Sequence, residues 1–477
     1  MNFWFIVGSQ LMYGKETIDR VNENALVIAK ELGSRLPFPF VYKGTVLSNE
    51  GAVSLIKEAN YDAECAGIVT FCHTFSPSKM WINALGLLQK PWCHLHTQFN
   101  REIPDGIDMD YMNLHQSAHG DREHGYIGTR LRKGRKVIAG HWMEDSVVGR
   151  LGKWQRACVG AAVSRGLKVV RFGDNMREVA VTDGDKVGAQ FKFGWQVNTT
   201  PVGDLVEAMG KVSGADIDGK MDEYRSKYDF KTDDLETVRY QALEEIAIQR
   251  ILDADGARAF SNTFQDLHGL RQLPGLATQN LMSKGYGYGG EGDWKTAALT
   301  AIVKAMAPGA TFMEDYTYDL KNGISLGAHM LEVCPTVAEG KPRIEVHHLG
   351  IGNREPPARL VFEGKAGPAL ALTLIDLGGR FRLITQDVLC VPPTQTMPSL
   401  PVARVMWKPL PSLEVGAECW ILAGGAHHTV LSYGIDSEVA RDWARAMDVE
   451  ILHIGAGTTT ADFERDERIS DLVWRNA

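Results

Sequence analysis

The chain has 477 residues, a net charge of −8, and 44% hydrophobic, 23% charged and 9% aromatic residues. These are globular proportions in more chain than one hydrophobic core supports, so two or three domains are expected. The acidic balance and the lack of any dense Lys/Arg block exclude nucleic acid and anionic membrane surfaces as expected partners.

Seven cysteines (Cys65, Cys72, Cys93, Cys158, Cys334, Cys390 and Cys419) are scattered, odd in number and never paired as CxxC, which suits reduced packing thiols and a cytoplasmic location. The N-terminus enters an apolar run with no basic stretch before it, and no segment approaches the ~20 apolar residues needed to span a bilayer. A chain neither exported nor embedded is the expectation.

Phe3–Val7 reads as a strand ending at Gly8, followed by a Ser9-Gln10 turn and a helix with Val21, Ala25, Ile28 and Leu32 on one face, stopped by Gly33. The pattern recurs with Phe40–Tyr42 before a helix over 51–58, Ala66–Phe71 before 76–88, then Pro91–Leu95 and Lys136–Ala139. Such alternation predicts a doubly wound, parallel α/β domain over residues 1–167. Ligands of these sheets bind beyond the carboxyl ends of the strands, where Ser9-Gln10, Cys72-His73-Thr74 and His94-Leu95-His96 fall.

Leu167–Phe172 opens a central α/β domain, 168–306, with a charged helical stretch near 204–253. From 307 to 477 the texture becomes β-rich, with strands expected at 343–348, 358–362, 369–375, 380–385, 403–407, 419–422 and 429–432, which suggests a barrel-like domain. Gly285-Tyr286-Gly287-Tyr288-Gly289-Gly290 follows a helical segment rather than a strand, so it is a poor dinucleotide fingerprint.

Chemistry concentrates in the second half, at Glu291, Glu314, His329 and His428. Carboxylates and imidazoles together suit a divalent metal of intermediate hardness such as manganese. Their spacing is no local metal motif, and singly each has an ordinary reading as a loop acid, a surface charge, a hydrogen-bonded histidine or part of a polar turn. Two local signals favour function. Glu291 precedes a helical run with Leu299, Ile302, Val303 and Met306, whose positive end favours the ionised carboxylate. Gly424-Gly425-Ala426 lets backbone approach closely before His427 and His428 project.

Eight runs occur in an order that resembles the L-arabinose isomerase family: Gly8-Ser9-Gln10, His73-Thr74-Phe75-Ser76-Pro77, Gln116-Ser117-Ala118-His119-Gly120, the stretch from Arg171 to Lys186, Glu291-Gly292-Asp293-Trp294-Lys295, Met313-Glu314-Asp315-Tyr316-Thr317-Tyr318, His329-Met330-Leu331-Glu332-Val333-Cys334-Pro335 and Gly424 to Val430. The likeness runs from about residue 3 to the histidine pair, while Ile454–Ala477 departs from the family ending. The resemblance implies three domains and a cytoplasmic homohexamer with sites at subunit interfaces. It implies that Glu291, Glu314, His329 and His428 hold one manganese ion (Mn2+) per subunit and that Glu291 and Glu314 are the acid/base pair. It places Gln10, Met12, Phe75, Gln116, His119, Met176 and Phe264 around the sugar, with His119 a candidate for ring opening.

The implied reaction is conversion of L-arabinose to L-ribulose through an enediol in L-arabinose catabolism, with D-galactose to D-tagatose as a second conversion. Two other readings stay open. Specificity for another sugar such as L-fucose depends on a few pocket contacts, and a sugar-binding protein without catalysis is compatible with doubly wound domains, although binding alone does not require two glutamates.

Overall fold

Long apolar runs that alternate with amphipathic helices leave a strand no exposed face, and the first sheet shows this. In the computed structural model, which describes residues 1–474, strands β1 (Asn2–Gly8), β2 (Phe40–Val46), β3 (Cys65–Cys72), β4 (Trp92–His96) and β5 (Lys136–Ala139) form an all-parallel sheet in the order β2-β1-β3-β4-β5. β3 is buried along its whole length and so is Phe3–Val7, as expected of strands covered on both sides. The helix Gly14–Arg35 turns Val21, Ala25, Ile28 and Leu32 inward, as the sequence spacing predicts. Met1–Ala162 makes one compact unit together with Arg441–Asp448, to which Lys136 is tied by a buried 2.8 Å ion pair with Asp442.

The second compact unit comprises Val163–Ala440 and the chain from Val449 onward. It starts with β6 (Lys168–Phe172) and β7 (Gln196–Thr200); β8 (Asp229–Phe230) is a short piece, and β9 (Ala259–Asn262) and β10 (Gly287–Gly289) follow. A parallel four-stranded sheet has the order β10-β9-β6-β7. The charged stretch expected near 204–253 consists of the helices Val202–Met209, Gly214–Lys227 and Leu235–Asp255.

Next come β11 (Ala310–Asp319), β12 (Ile324–Ala328), β13 (Arg343–Val346), β14 (Ala358–Val361), β15 (Gly367–Asp376), β16 (Phe381–Val391), β17 (Arg404–Pro409), β18 (His428–Ser432) and β19 (Glu450–Ile454). β13 and β14 join β8 in a small sheet. Six antiparallel strands run β15-β18-β11-β12-β17-β16, and β16 pairs back onto β15, closing a barrel. Closure pairs each of the six barrel strands on both sides. β19 adds parallel to β16 outside the ring.

One expected strand is a helix. Cys419–Leu422 is the last turn of the helix Leu413–Leu422, capped by Ser412, whose side chain accepts from the Val415 amide at 3.3 Å. Leu413, Gly416 and Cys419 are its buried residues, three apart, and a four-residue apolar run does not by itself distinguish strand from helix. All seven cysteines are buried and free. Among the described residues no helix is long and apolar enough to cross a membrane.

Candidate active site

Residues far apart in sequence meet because three barrel strands are neighbours. Glu314 on β11 lies opposite Ala328 on β12 and opposite His428 on β18, and Ala328 directly precedes His329. Cross-strand partners sit about 5 Å apart, so this register alone gathers one glutamate and two histidines. Glu291 enters from the loop between β10 and the helix Trp294–Met306, with a backbone φ of 60°, a left-handed conformation that a side-chain-bearing residue adopts at a cost of about 1–3 kcal/mol. The loop is pinned from behind, as the Met176 amide donates to Glu291 O at 2.9 Å and Asn175 Nδ2 donates to Gly292 O at 3.2 Å.

Both imidazoles face the centre with the same nitrogen. His428 is fully buried; its Nδ1 bonds Asp293 Oδ2 at 3.1 Å, and its Nε2 stands 3.6 Å from Glu291 and 4.0 Å from Glu314. His329 Nδ1 bonds Glu332, and its Nε2 lies 3.8 Å from Glu314. A carboxylate on Nδ1 assigns the proton there and leaves the Nε2 lone pair for the centre. The Phe312 ring meets both imidazoles edge-on, at centroid distances of 4.9 and 5.2 Å, and fixes their planes. Gly290 leaves the needed space, since a Cβ there would stand 3.1 Å from Phe312 Cζ and 3.3 Å from His329 Nε2.

The electrostatics ask for positive charge. Burial pushes the Glu291 carboxyl up, but the nearby His427, His428 and His329 imidazoles outweigh this and hold it below the usual range. Burial disfavours protonated His329, yet Glu332, Glu314 and Glu291 push its pKa up to about 9. For Asp293 the Lys295 ammonium and His428 overcome burial and keep the carboxyl well below its ordinary value.

This donor set fits a divalent cation. Atoms of Glu314, His329 and His428 lie within 4.8 Å of one another, as do atoms of Glu291, His427 and His428. His428 Nε2 is buried with no hydrogen-bond partner while facing two carboxylates, a cost that a shared cation offsets. Two carboxylate and two imidazole donors match a metal of intermediate hardness.

The centre opens into a cavity of about 240 Å³ lined by Met176, Phe264, Glu291, Glu314, His329 and, among others, Asn262, Tyr288, Tyr316 and Ile351. All belong to the second unit. The other residues singled out in the sequence belong to the first unit and gather at the carboxyl end of its sheet. Gln10 Nε2 donates to Phe75 O at 2.9 Å, the Phe75 ring lies 4.5 Å from the His119 ring, and Gln116 Oε1 accepts from Tyr13. Met12, in the turn Leu11–Tyr13, is 77% exposed.

Sequence reasoning gave no role to His427, Asp293 or Glu332. His427 Nε2 lies 3.8 Å from Glu291 and 3.7 Å from Glu314 and is half-exposed. Its neighbour already held the ligand assignment, and only the start of β18 at His428 separates their directions. Asp293 had a readable signal, an acid directly before a helical run, and it caps Trp294–Met306 through the amides of Lys295 and Thr296. The positive end of this helix was considered only for its effect on Glu291, two residues earlier.

Family models for the L-arabinose isomerase N-terminal, central and C-terminal domains match residues 1–166, 168–309 and 309–450. The L-arabinose isomerase of Geobacillus stearothermophilus is 52% identical, with 99% of this chain and 98% of the relative covered. That of Anoxybacillus flavithermus is 53% identical (99% and 97% covered), and that of Thermotoga petrophila is 51% identical (99% and 97%).

Proposed function

The chain belongs to the L-arabinose isomerase family and is an aldose–ketose isomerase, and from that premise we propose that Glu291, Glu314, His329 and His428 hold one divalent cation, manganese, at the centre where L-arabinose becomes L-ribulose. The observation that carries the ligand set is His428 Nε2, buried, unpartnered and turned toward both glutamates.

Isomerisation moves the C2 hydrogen to C1 and the O2 proton to O1. When bound, the cation supplies Lewis-acid stabilisation of the negative charge that develops on the sugar oxygens. One of the two glutamates takes the proton from C2 and returns it to C1, while the other passes the hydroxyl proton from O2 to O1. Their surroundings differ as such a division requires. Glu291 sits on a left-handed loop residue beside His427 and His428, and Glu314 on a barrel strand beside His329. His427, half-exposed beside both, donates to a sugar hydroxyl.

Phe264 and Met176 line the cavity and offer it apolar surface. Gln10, Met12, Phe75, Gln116 and His119 contact the sugar in the same reading, supported by their grouping at the carboxyl end of a parallel sheet. The reading extends to a cytoplasmic homohexamer with sites at subunit interfaces. Metal analysis after dialysis tests the ligand set: one equivalent of manganese per chain in the wild type and its loss in His428→Ala are expected, and equal content in both would overturn the assignment.

A further inference from the structure

The last helix, Thr460–Trp474, lies past the C-terminal domain model, which ends at residue 450, although the curated relatives align over 99% of the chain, and its contacts lead to the histidine pair. The link is Arg382 on β16, which is 3% exposed. Its guanidinium holds Glu450 on β19 at 2.9 Å, Asp471 at 2.7 Å and Glu467 at 3.4 Å, the last two on the C-terminal helix. The same group donates to Ala423 O at 3.0 Å. Ala423 ends the helix Leu413–Leu422 and begins the turn Ala423-Gly424-Gly425-Ala426 that delivers His427 and His428.

The turn is otherwise held by Trp420, whose carbonyl accepts from the Gly425 amide at 2.8 Å and whose Nε1 donates to Ala426 O at 2.9 Å. Ala423 and Ala426 share an apolar cluster with Phe463 of the C-terminal helix and with Cys419, Ile384 and Leu452. Two adjacent glycines lose much backbone freedom when ordered, so such a turn keeps one position only if its surroundings impose it. The surroundings here are one indole, one guanidinium and one face of the last helix.

We infer that the C-terminal helix is a positioning element for the His427–His428 turn, acting through Arg382 and Phe463. This rests on the assignment of His428 as a metal ligand. Arg382 touches neither sugar nor cation; it sets where the turn ends and hence where His428 Nε2 points. Groups that orient ligands in this way typically change metal affinity by roughly 10- to 100-fold when altered.

The test uses the full chain with Arg382→Ala and the milder Asp471→Asn, which takes one carboxylate from Arg382 and from Arg380, which it also pairs with, without emptying the core. Val238→Ala, in the buried face of the helix Leu235–Asp255, serves as a destabilised control. Hydrogen exchange of the peptide 419–428 is measured on chelator-treated protein, and Mn2+ affinity by calorimetry. Asp471→Asn should raise exchange in this peptide about tenfold, the scale of one lost hydrogen bond to a charged group. It should lower Mn2+ affinity roughly tenfold, with a larger effect for Arg382→Ala and neither effect for the control. Unchanged exchange in folded Asp471→Asn, or raised exchange with unchanged Mn2+ affinity, would overturn the inference. A wild type that binds no Mn2+ would overturn the ligand assignment instead, because exchange of the metal-free protein reads the clamp independently.

Discussion

His428 and Asp293 are joined by a 3.1 Å hydrogen bond between Nδ1 and Oδ2, and the same aspartate accepts from the amides of Lys295 and Thr296 at 3.2 and 3.1 Å. One carboxylate therefore starts a helix and fixes the tautomer of a histidine at the centre. Asparagine caps helices about as well as aspartate but carries no charge, and its amide can donate to Nδ1 and put the wrong nitrogen forward. Asp293→Asn should cost roughly 10- to 100-fold in Mn2+ affinity and also lower the melting temperature, because it leaves the buried Lys295 ammonium, 3.5 Å away, without its carboxylate. Titration calorimetry beside a melting curve checks this, and unchanged affinity would mean that Asp293 serves the helix alone.

His329 and Glu332 give a pH prediction for chelator-treated protein. The folded pKa of His329, about 9, exceeds its ordinary value of 6.5. The ion pair thus contributes stability fully below the ordinary value, and that contribution is lost as pH rises toward about 9. Denaturant unfolding should show this loss between about pH 6 and about pH 9.5, and Glu332→Gln should show much less of it. A cation competes with the same proton, so Mn2+ affinity should rise across that window. Parallel pH profiles of the wild type and Glu332→Gln would contradict the pairing.

Gly290 is a steric prediction. Its φ is not in the left-handed region, so alanine is compatible with the backbone and the penalty comes only from the Phe312 and His329 contacts. Gly290→Ala should cost about 1–3 kcal/mol of stability through overpacking and lower kcat by roughly 100-fold through displacement of His329. Steady-state kinetics decide it: normal kcat would show that the ring yields without consequence.

Phe264 lines the cavity but is no metal donor. Phe264→Ala should raise KM for L-arabinose by roughly 30-fold, the loss of about 2 kcal/mol of apolar contact, and leave manganese content unchanged. Metal loss with normal KM would reassign it to the centre.

Much of the fold was readable because its signals are local. Phe3–Val7 and Ala66–Phe71 are short apolar runs that alternate with amphipathic helices, a context that favours strands buried on both faces, and the spacing of Val21, Ala25, Ile28 and Leu32 marks one helix face. Barrel closure was not readable in detail, because the β15–β16 pairing and the parallel addition of β19 depend on register between separate segments. Cys419–Leu422 went the wrong way because its helical context begins at Ser412, outside the apolar run. The four candidate ligands stood out by residue type, but only the β12-β11-β18 register explains why Glu314, His329 and His428 meet. Glu332 acts through His329 and carries no distinguishing pattern of its own, and the helix-cap signal at Asp293 does not reveal its bond to His428.

If a cation held among Glu291, Glu314, His329 and His428 serves the isomerisation of L-arabinose, activity depends on that metal and on both glutamates. The most direct measurement strips the purified protein with chelator and follows conversion of L-arabinose to L-ribulose with and without added Mn2+, beside Glu314→Gln, which keeps the shape and removes the charge. Activity should return with Mn2+ in the wild type and stay absent in Glu314→Gln. Full activity of the stripped protein, or Mn2+-dependent activity in Glu314→Gln equal to that of the wild type, would contradict it.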